Sequence, residues 1–218
     1  MTEPPNQQSL PKEGILLHEL NHRVNNEFAA AISVVSLAAA RSSNNEVKAI
    51  LSGVAELLHR CADVHCALQM PQNDVALDAE TYLRQLCLLI SRSYLDHQKI
   101  ELALATEPLL LDADRCWRLG LIVYELIINS ARHAFSGGGG EIRVELFRAG
   151  AFAECSVTDN GLAATMATAA SGRGLKIIDE LSRSIGGRFE QKFGPRGSRS
   201  IVVFPEVLTG KPSCRSTP

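Results

Sequence analysis

No apolar run in this 218-residue sequence reaches the roughly 18–20 residues needed to cross a bilayer. Residues 1–11 are polar and proline-bearing, with no charged segment leading into an apolar one, so an export signal is not expected. Charge of either sign is not in excess. A formal net charge of −2 gives no reason to expect nucleic acid or an anionic membrane as a partner. The six cysteines, Cys61, Cys66, Cys87, Cys116, Cys155 and Cys214, include no C-x-x-C pair, so zinc-ribbon and disulfide-scaffold readings fail on spacing. Reduced, mostly buried thiols and a cytoplasmic protein are the expectation. No internal repeat is visible. What remains is ordinary globular material, 45% apolar and 21% charged, long enough for one large domain or two small ones.

That material is organised around residues 17–28, Leu-His-Glu-Leu-Asn-His-Arg-Val-Asn-Asn-Glu-Phe, where His18 and His22 stand four apart on a helical pattern. Two chemistries compete for it. As His18-Glu19-Leu20-Asn21-His22 it matches H-E-x-x-H, in which both imidazoles hold zinc and the Glu activates water. That reading needs a third ligand, and past Glu27 the nearest downstream carboxylate is Glu46, beyond a helix break. As Glu19-x-x-His22-Arg23-x-x-Asn26 the stretch instead presents one imidazole with a carboxylate one turn before it and an amide one turn after.

Helical periodicity runs over 14–41, with Leu17, Leu20, Val24, Phe28, Ala31, Val35 and Ala38 as a heptad-like seam. Ser42 to Asn45 break it and supply N-cap candidates. A second helix is predicted from 46 to about 70, with Ile50, Val54, Leu57, Leu58, Cys61, Val64 and Leu68 on one side and Pro71 ending it. One such hairpin cannot bury both apolar stripes, whereas two form a four-helix bundle, so residues 14–70 are expected to build a homodimer. From Ala76 the pattern turns to mixed α/β. Helices are predicted at 78–98, 112–135 and 174–185, and strands at 99–105, 141–148, 151–159, 188–193 and 198–204. The expected architecture is α+β: a helical hairpin over 14–70, then an α/β sandwich over 76–205 with a mixed sheet and helices on one face. The flanks, 1–13 and 206–218, are expected to be disordered tails.

The second half carries weak motifs in a specific order. Glu125, Asn129, Arg132 and His133 form one polar stripe on the 112–135 helix. The strand after it ends in Asp159-Asn160-Gly161, ordinary turn chemistry taken alone. Gly172-Arg173-Gly174-Leu175 opens a helix, where free N–H groups and the dipole favour phosphate. Gly197-Ser198 precedes the last strand.

In that order the motifs resemble the Bergerat-type ATPase fold of gyrase, Hsp90-type chaperones and histidine kinases. The stretch 119–135 is similar to its N box, Asp159-Asn160-Gly161 and Gly172–Leu175 to its glycine boxes, and Gly197-Ser198 to its final element. With the His22 box ahead of them, the chain resembles a bacterial two-component sensor histidine kinase of the His-Arg-x-x-Asn subfamily. The resemblance covers about 14–205.

It implies an ATP- and Mg²⁺-dependent kinase that phosphorylates His22 and passes the group to the Asp of a response-regulator receiver domain. By the same resemblance Asn129 would bind Mg²⁺ and Asp159 would accept the adenine amino group. Gly161 would let the backbone pass the base, and Gly172, Gly174 and Leu175 would frame the phosphates. Arg132, His133 and Arg173 would neutralise phosphate charge, Glu125 would orient a metal-bound water, and Ser198 would complete the pocket. Glu19 would fix the tautomer of His22, with His18 a solvated neighbour. The sequence departs from the family in Asn25-Asn26-Glu27 after Val24, in Ala163 where a second glycine is usual, and in a lid of only ten residues between Gly161 and Gly172. About 13 residues precede the first helix, so the signal is expected from a separate sensory or regulatory protein or from the tails. Rivals to the active kinase are a histidine phosphotransfer adaptor with a degenerate ATPase domain, the zinc protease, and a serine/threonine kinase of the same superfamily.

Overall fold

The computed structural model describes residues 12–71, 75–135, 138–161 and 173–206, and at 12–18 and 173 the backbone alone. The chain divides into two compact units, Met1–Met70 and Pro71–Pro218.

In the first unit α1 spans Lys12–Arg41 and α2 spans Asn45–Ala67. The break has a local cause. Asn44 is extended, and its Oδ1 accepts from the N–H groups of Glu46 at 2.8 Å and Val47 at 3.3 Å, so the residue capping α2 also stops α1 from running on. α1 and α2 bury Ala39, Ala55 and Val64, with Val24, Phe28, Ile32, Val35, Leu51 and Leu58 half-buried beside them. The seam read from the sequence divides here. Val24, Phe28 and Val35 join the inner face, whereas Leu20, Ala31 and Ala38 are exposed. Val34 (68% exposed) and Leu37 extend that outer stripe, and Val47, Ile50 (60%), Val54 and Leu57 form its counterpart on α2. A single partner helix covers only about a 100° stripe of its neighbour, and the apolar surface of each helix is wider than that.

The second unit is a five-stranded sheet in the order β2-β4-β5-β7-β6, with β2 (Ile100–Thr106) parallel to β4 (Gly140–Ala149) and every other pair antiparallel. The remaining strands of that sheet are β5 (Phe152–Asp159), β6 (Arg188–Gly194) and β7 (Gly197–Pro205). Register pairs Ile142 with Asp159, Val144 with Val157 and Leu146 with Cys155, and then Cys155 with Val202 and Ala153 with Phe204, all buried on one face. On that face pack α3 (Ala79–Ile90), α4 (Ala113–His133) and α5 (Arg173–Ser184), α4 burying Leu119, Ile122, Val123, Leu126 and Ile127.

Two details differ from the sequence reading. Two-residue strands, β1 (Leu77–Asp78) and β3 (Leu110–Leu111), pair antiparallel ahead of α3 and α4. Too short to show alternation, they are held by Asp78, which caps α3 through the Thr81 N–H and accepts from Leu109 N at 3.2 Å. Thr81 Oγ1, donating to the Asp78 carboxylate at 2.6 Å, lowers its pKa. The helix predicted over 78–98 is also not uniform, since α3 passes into a π-helical turn, Ser91–Leu95, and a 3₁₀ turn, Asp96–Gln98. The wider π winding stacks residues five apart, which keeps both Ile90 and Leu95 fully buried.

At the start of α4, Asp112 caps the helix by accepting from Arg115 N at 2.9 Å. The buried Arg115 guanidinium donates to the carbonyls of Glu206 at 2.8 Å, Pro205 and Ile185, tying α4 to the ends of β7 and α5. It also lies over the Phe204 ring, 5.5 Å from its centroid.

Candidate active site

α4 presents Glu125 and Asn129 half-buried, and Arg132 and His133 exposed in its last turn, where cations complement the helix dipole. What the first pair faces is fixed by α5. A Cβ added at Gly174, the second residue of α5, would lie 3.4 Å from Asn129 Nδ2 and 3.6 Å from Glu125 Oε2. The first turn of α5, whose N–H groups have no partner within the helix, therefore meets the polar stripe of α4. Leu175 sits half-buried in the same turn. The carboxylate and amide oxygens of Glu125 and Asn129 are hard donors of the kind Mg²⁺ accepts. Among the described residues, no group of three or more His, Cys, Asp or Glu side chains is placed to hold a metal ion unaided.

The second focus is Asp159, the last residue of β5 and only 3% exposed. Its Oδ1 accepts from Gly161 N at 3.1 Å and Ser198 N at 3.2 Å, and its Oδ2 from Ser130 Oγ at 3.0 Å and Ser198 Oγ at 2.6 Å. A carboxylate offers about four acceptor positions, and here all four are taken by protein donors. The resemblance-based role of Asp159, accepting an adenine amino group, thus falls on an atom set already saturated.

Glycines allow this close assembly. Gly197 has φ +116°, and a Cβ there would stand 1.8 Å from the Asp159 carbonyl oxygen, so the β6–β7 turn can reach Asp159 only with glycine. A Cβ at Gly161 would lie 2.2 Å from the Ala134 carbonyl oxygen, so contact with the end of α4 already demands glycine there. Asn160 ties the end of β5 to the start of β4, its Oδ1 accepting from Glu141 N at 2.8 Å.

In the first unit His22 is exposed on α1, as is Asn26. Glu19 accepts from Arg23 Nε at 3.3 Å, so the structure pairs the carboxylate with the arginine of the motif. Asn25, named in the sequence only as a departure from the family, is half-buried. Its Oδ1 lies 3.3 Å from His65 Nδ1 and accepts from Cys66 Sγ at 3.7 Å, fastening this turn of α1 to α2.

The side chains of His18 and Arg173 lie outside the described residues, as do Gly172, Ala163 and the lid between the glycine boxes. The sequence reading also missed Ser130. Its signal was present: on α4 it falls between Leu126 and Ala134 at four-residue spacing, a hydroxyl in a stripe otherwise apolar and buried.

Comparison with known proteins accords with this geometry. The model of a family described as histidine kinase matches residues 19–94, from α1 through α3 into the π-helical turn. The sensor histidine kinase PdtaS of Mycobacterium tuberculosis (strain ATCC 25618 / H37Rv) is 25% identical over 214 residues, covering 94% of this chain. This chain spans 42% of the length of that relative. Among solved structures, the histidine kinase domain of the Erythrobacter litoralis EL346 blue-light activated histidine kinase superposes with a TM-score of 0.58 at 17% identity, covering 83% of this chain and 95% of that one. Full-length ShkA in complex with AMPPNP gives 0.54 at 18% identity, covering 88% and 46%. The chain is thus similar to histidine kinases over its hairpin by the family model, similar to a sensor histidine kinase along nearly its whole length, and like histidine kinase domains in fold.

Proposed function

We propose that this chain is an ATP-dependent protein histidine kinase with His22 as its phosphoacceptor. The observation that carries the reading is the meeting of Glu125 and Asn129 with Gly174 at the N-terminus of α5, where oxygen donors lie beside a helix end whose dipole favours a metal-bound triphosphate. In the reaction an imidazole nitrogen of His22 forms a P–N bond with the γ-phosphorus while the bond to the β-phosphate oxygen breaks, releasing ADP. Little covalent work falls to the protein; it positions the groups and neutralises charge. Asn129 would hold Mg²⁺, which when bound neutralises charge on the phosphates, and Glu125 would orient a water on it. Arg132, His133 and Arg173 would offset the charge that remains, with Gly172, Gly174 and Leu175 shaping the phosphate site. Asp159 and Ser198 would read the adenine edge. Glu19 and Arg23 flank the acceptor, and exposure of His22 suits a group that must be reached by ATP and then by a receiver aspartate.

The exposed apolar stripes of α1 and α2 support a homodimer through this hairpin. No described helix is long and apolar enough to cross a membrane. A response-regulator receiver is the proposed second substrate, and the cytoplasm the proposed location.

A second reading rests on one observation, the saturation of Asp159 by four protein donors. It makes the chain a phosphotransfer adaptor that receives its phosphoryl group from elsewhere. Incubation with γ-labelled ATP and Mg²⁺ separates the two. The kinase incorporates acid-labile label that disappears in His22→Ala and persists in His18→Ala. No label in wild-type protein supports the adaptor, and equal label in His22→Ala removes His22 from the mechanism.

A further inference from the structure

We propose that Ser130 is a hydroxyl plug on the adenine acceptor: it occupies Asp159 when nucleotide is absent and must turn away for an adenine amino group to bind. The inference rests on Asp159 being that acceptor, as proposed above.

The four donors on Asp159 are not equally able to leave. The Gly161 and Ser198 N–H groups belong to backbone held where Gly197 packs on the Asp159 carbonyl and Gly161 on Ala134. The Ser198 hydroxyl is on a buried residue whose own N–H binds the same carboxylate, and its bond is the short one at 2.6 Å. Ser130 differs in each respect. It is half-buried, comes from a separate element, and its bond is 3.0 Å long. As a helical serine it also has a second acceptor four residues back, the Leu126 carbonyl, reached by rotation about χ1. Ser130 is therefore the donor that exchanges.

The exchange selects the base as well. A purine 6-amino group replaces one donor with another on Oδ2, so the carboxylate stays satisfied. A 6-carbonyl, as in guanine, would set an acceptor against an acceptor and leave the plug in place. Because displacement gives up a hydrogen bond to a charged carboxylate and regains a neutral one at Leu126, removing the hydroxyl tightens adenine nucleotides by about fivefold, the difference between the two.

The test is calorimetry of the full chain with Mg²⁺ and ATP, GTP or purine riboside triphosphate, which lacks the 6-amino group. Ser130→Ala keeps the helix, because alanine is the best helix former, and a thermal melt verifies the fold. The expected result is roughly fivefold tighter ATP binding in Ser130→Ala, with no gain for the other two nucleotides. ATP binding to wild type with equal or weaker binding to the folded variant would overturn the plug alone. A gain of the same size for all three nucleotides would also overturn it, since the hydroxyl would then not be competing with the amino group. No binding of ATP to either protein would overturn the reading of Asp159 as adenine acceptor and the plug with it. Binding by the variant alone would support a plug tighter than estimated.

Discussion

Asp159 should serve stability and recognition at once, and two substitutions separate the roles. Asp159→Ala removes the acceptor of four hydrogen bonds in a site only 3% exposed. The hydroxyl of Ser130 can turn to the Leu126 carbonyl, but the N–H groups of Gly161 and Ser198 are fixed in place. Two stranded buried donors cost roughly 1–3 kcal/mol each, or about 2–6 kcal/mol in all. For a unit of this size that lowers the melting temperature on the order of 10 °C. Asp159→Asn keeps an oxygen for both N–H groups, and its NH₂ meets two hydroxyls that can accept as readily as donate. Its stability cost should be about 1 kcal/mol. For adenine the same change is severe, because a donor replaces the acceptor. Loss of a hydrogen bond to a charged group, about 1.5–3 kcal/mol, weakens ATP roughly 10- to 150-fold. Thermal melting of the α/β unit followed by circular dichroism reads the first effect, and calorimetry with Mg²⁺ and ATP the second. Wild-type melting of Asp159→Ala would refute the network as a stabilising element. Wild-type ATP affinity in Asp159→Asn would refute Asp159 as the adenine acceptor.

The homodimer should be broken by Ile50→Asp with Val54→Asp, since both side chains are exposed on α2 and outside the seam that holds the hairpin together. Sedimentation equilibrium should show a dimeric wild type and a monomeric, still helical variant, and a variant that stays dimeric would discard this face. Burial pushes the thiols of Cys87, Cys116 and Cys155 up to about 12, whereas Cys66 is exposed. At neutral pH iodoacetamide should modify Cys66 before Cys87, Cys116 and Cys155, and those three only after unfolding, as read by mass spectrometry. The folded state also holds those thiol protons more tightly than the unfolded chain, whose thiols titrate near 9. The stability they contribute is therefore complete below pH 9 and lost as pH rises toward 12, which a urea midpoint measured across that range tests.

Legibility in the sequence followed the length scale of each interaction. The long helices and the alternating strands were readable because each is specified by its own periodicity, and the break at Asn44 because a cap acts within three residues. The π-helical turn was not, since the packing of Leu95 rather than any local preference decides it. The hairpin seam was read as one stripe where the structure has two. A heptad shows that Leu20 and Val24 are apolar neighbours on α1, but not that only Val24 turns toward α2.

The candidate site divides along the same line. Glu125 and Asn129 could be named from one helix, and Gly174 joins them because a helix N-terminus announces itself in glycines. Hydrogen-bond saturation has no such local signature. Asp159-Asn160-Gly161 reads as a turn, and the Asp159 side chain does accept from Gly161 N two residues on, while Asn160 reaches across to Glu141 N. The same three residues become part of a site only when β7 brings Ser198 and α4 brings Ser130 to the carboxylate. One of those donors still left a trace, because a hydroxyl between Leu126 and Ala134 on the apolar side of α4 is placed to meet an acceptor across the packing. A lone polar residue inside an apolar helical stripe thus points to the buried charge it serves, and here it points to the one carboxylate on which the nucleotide reading depends.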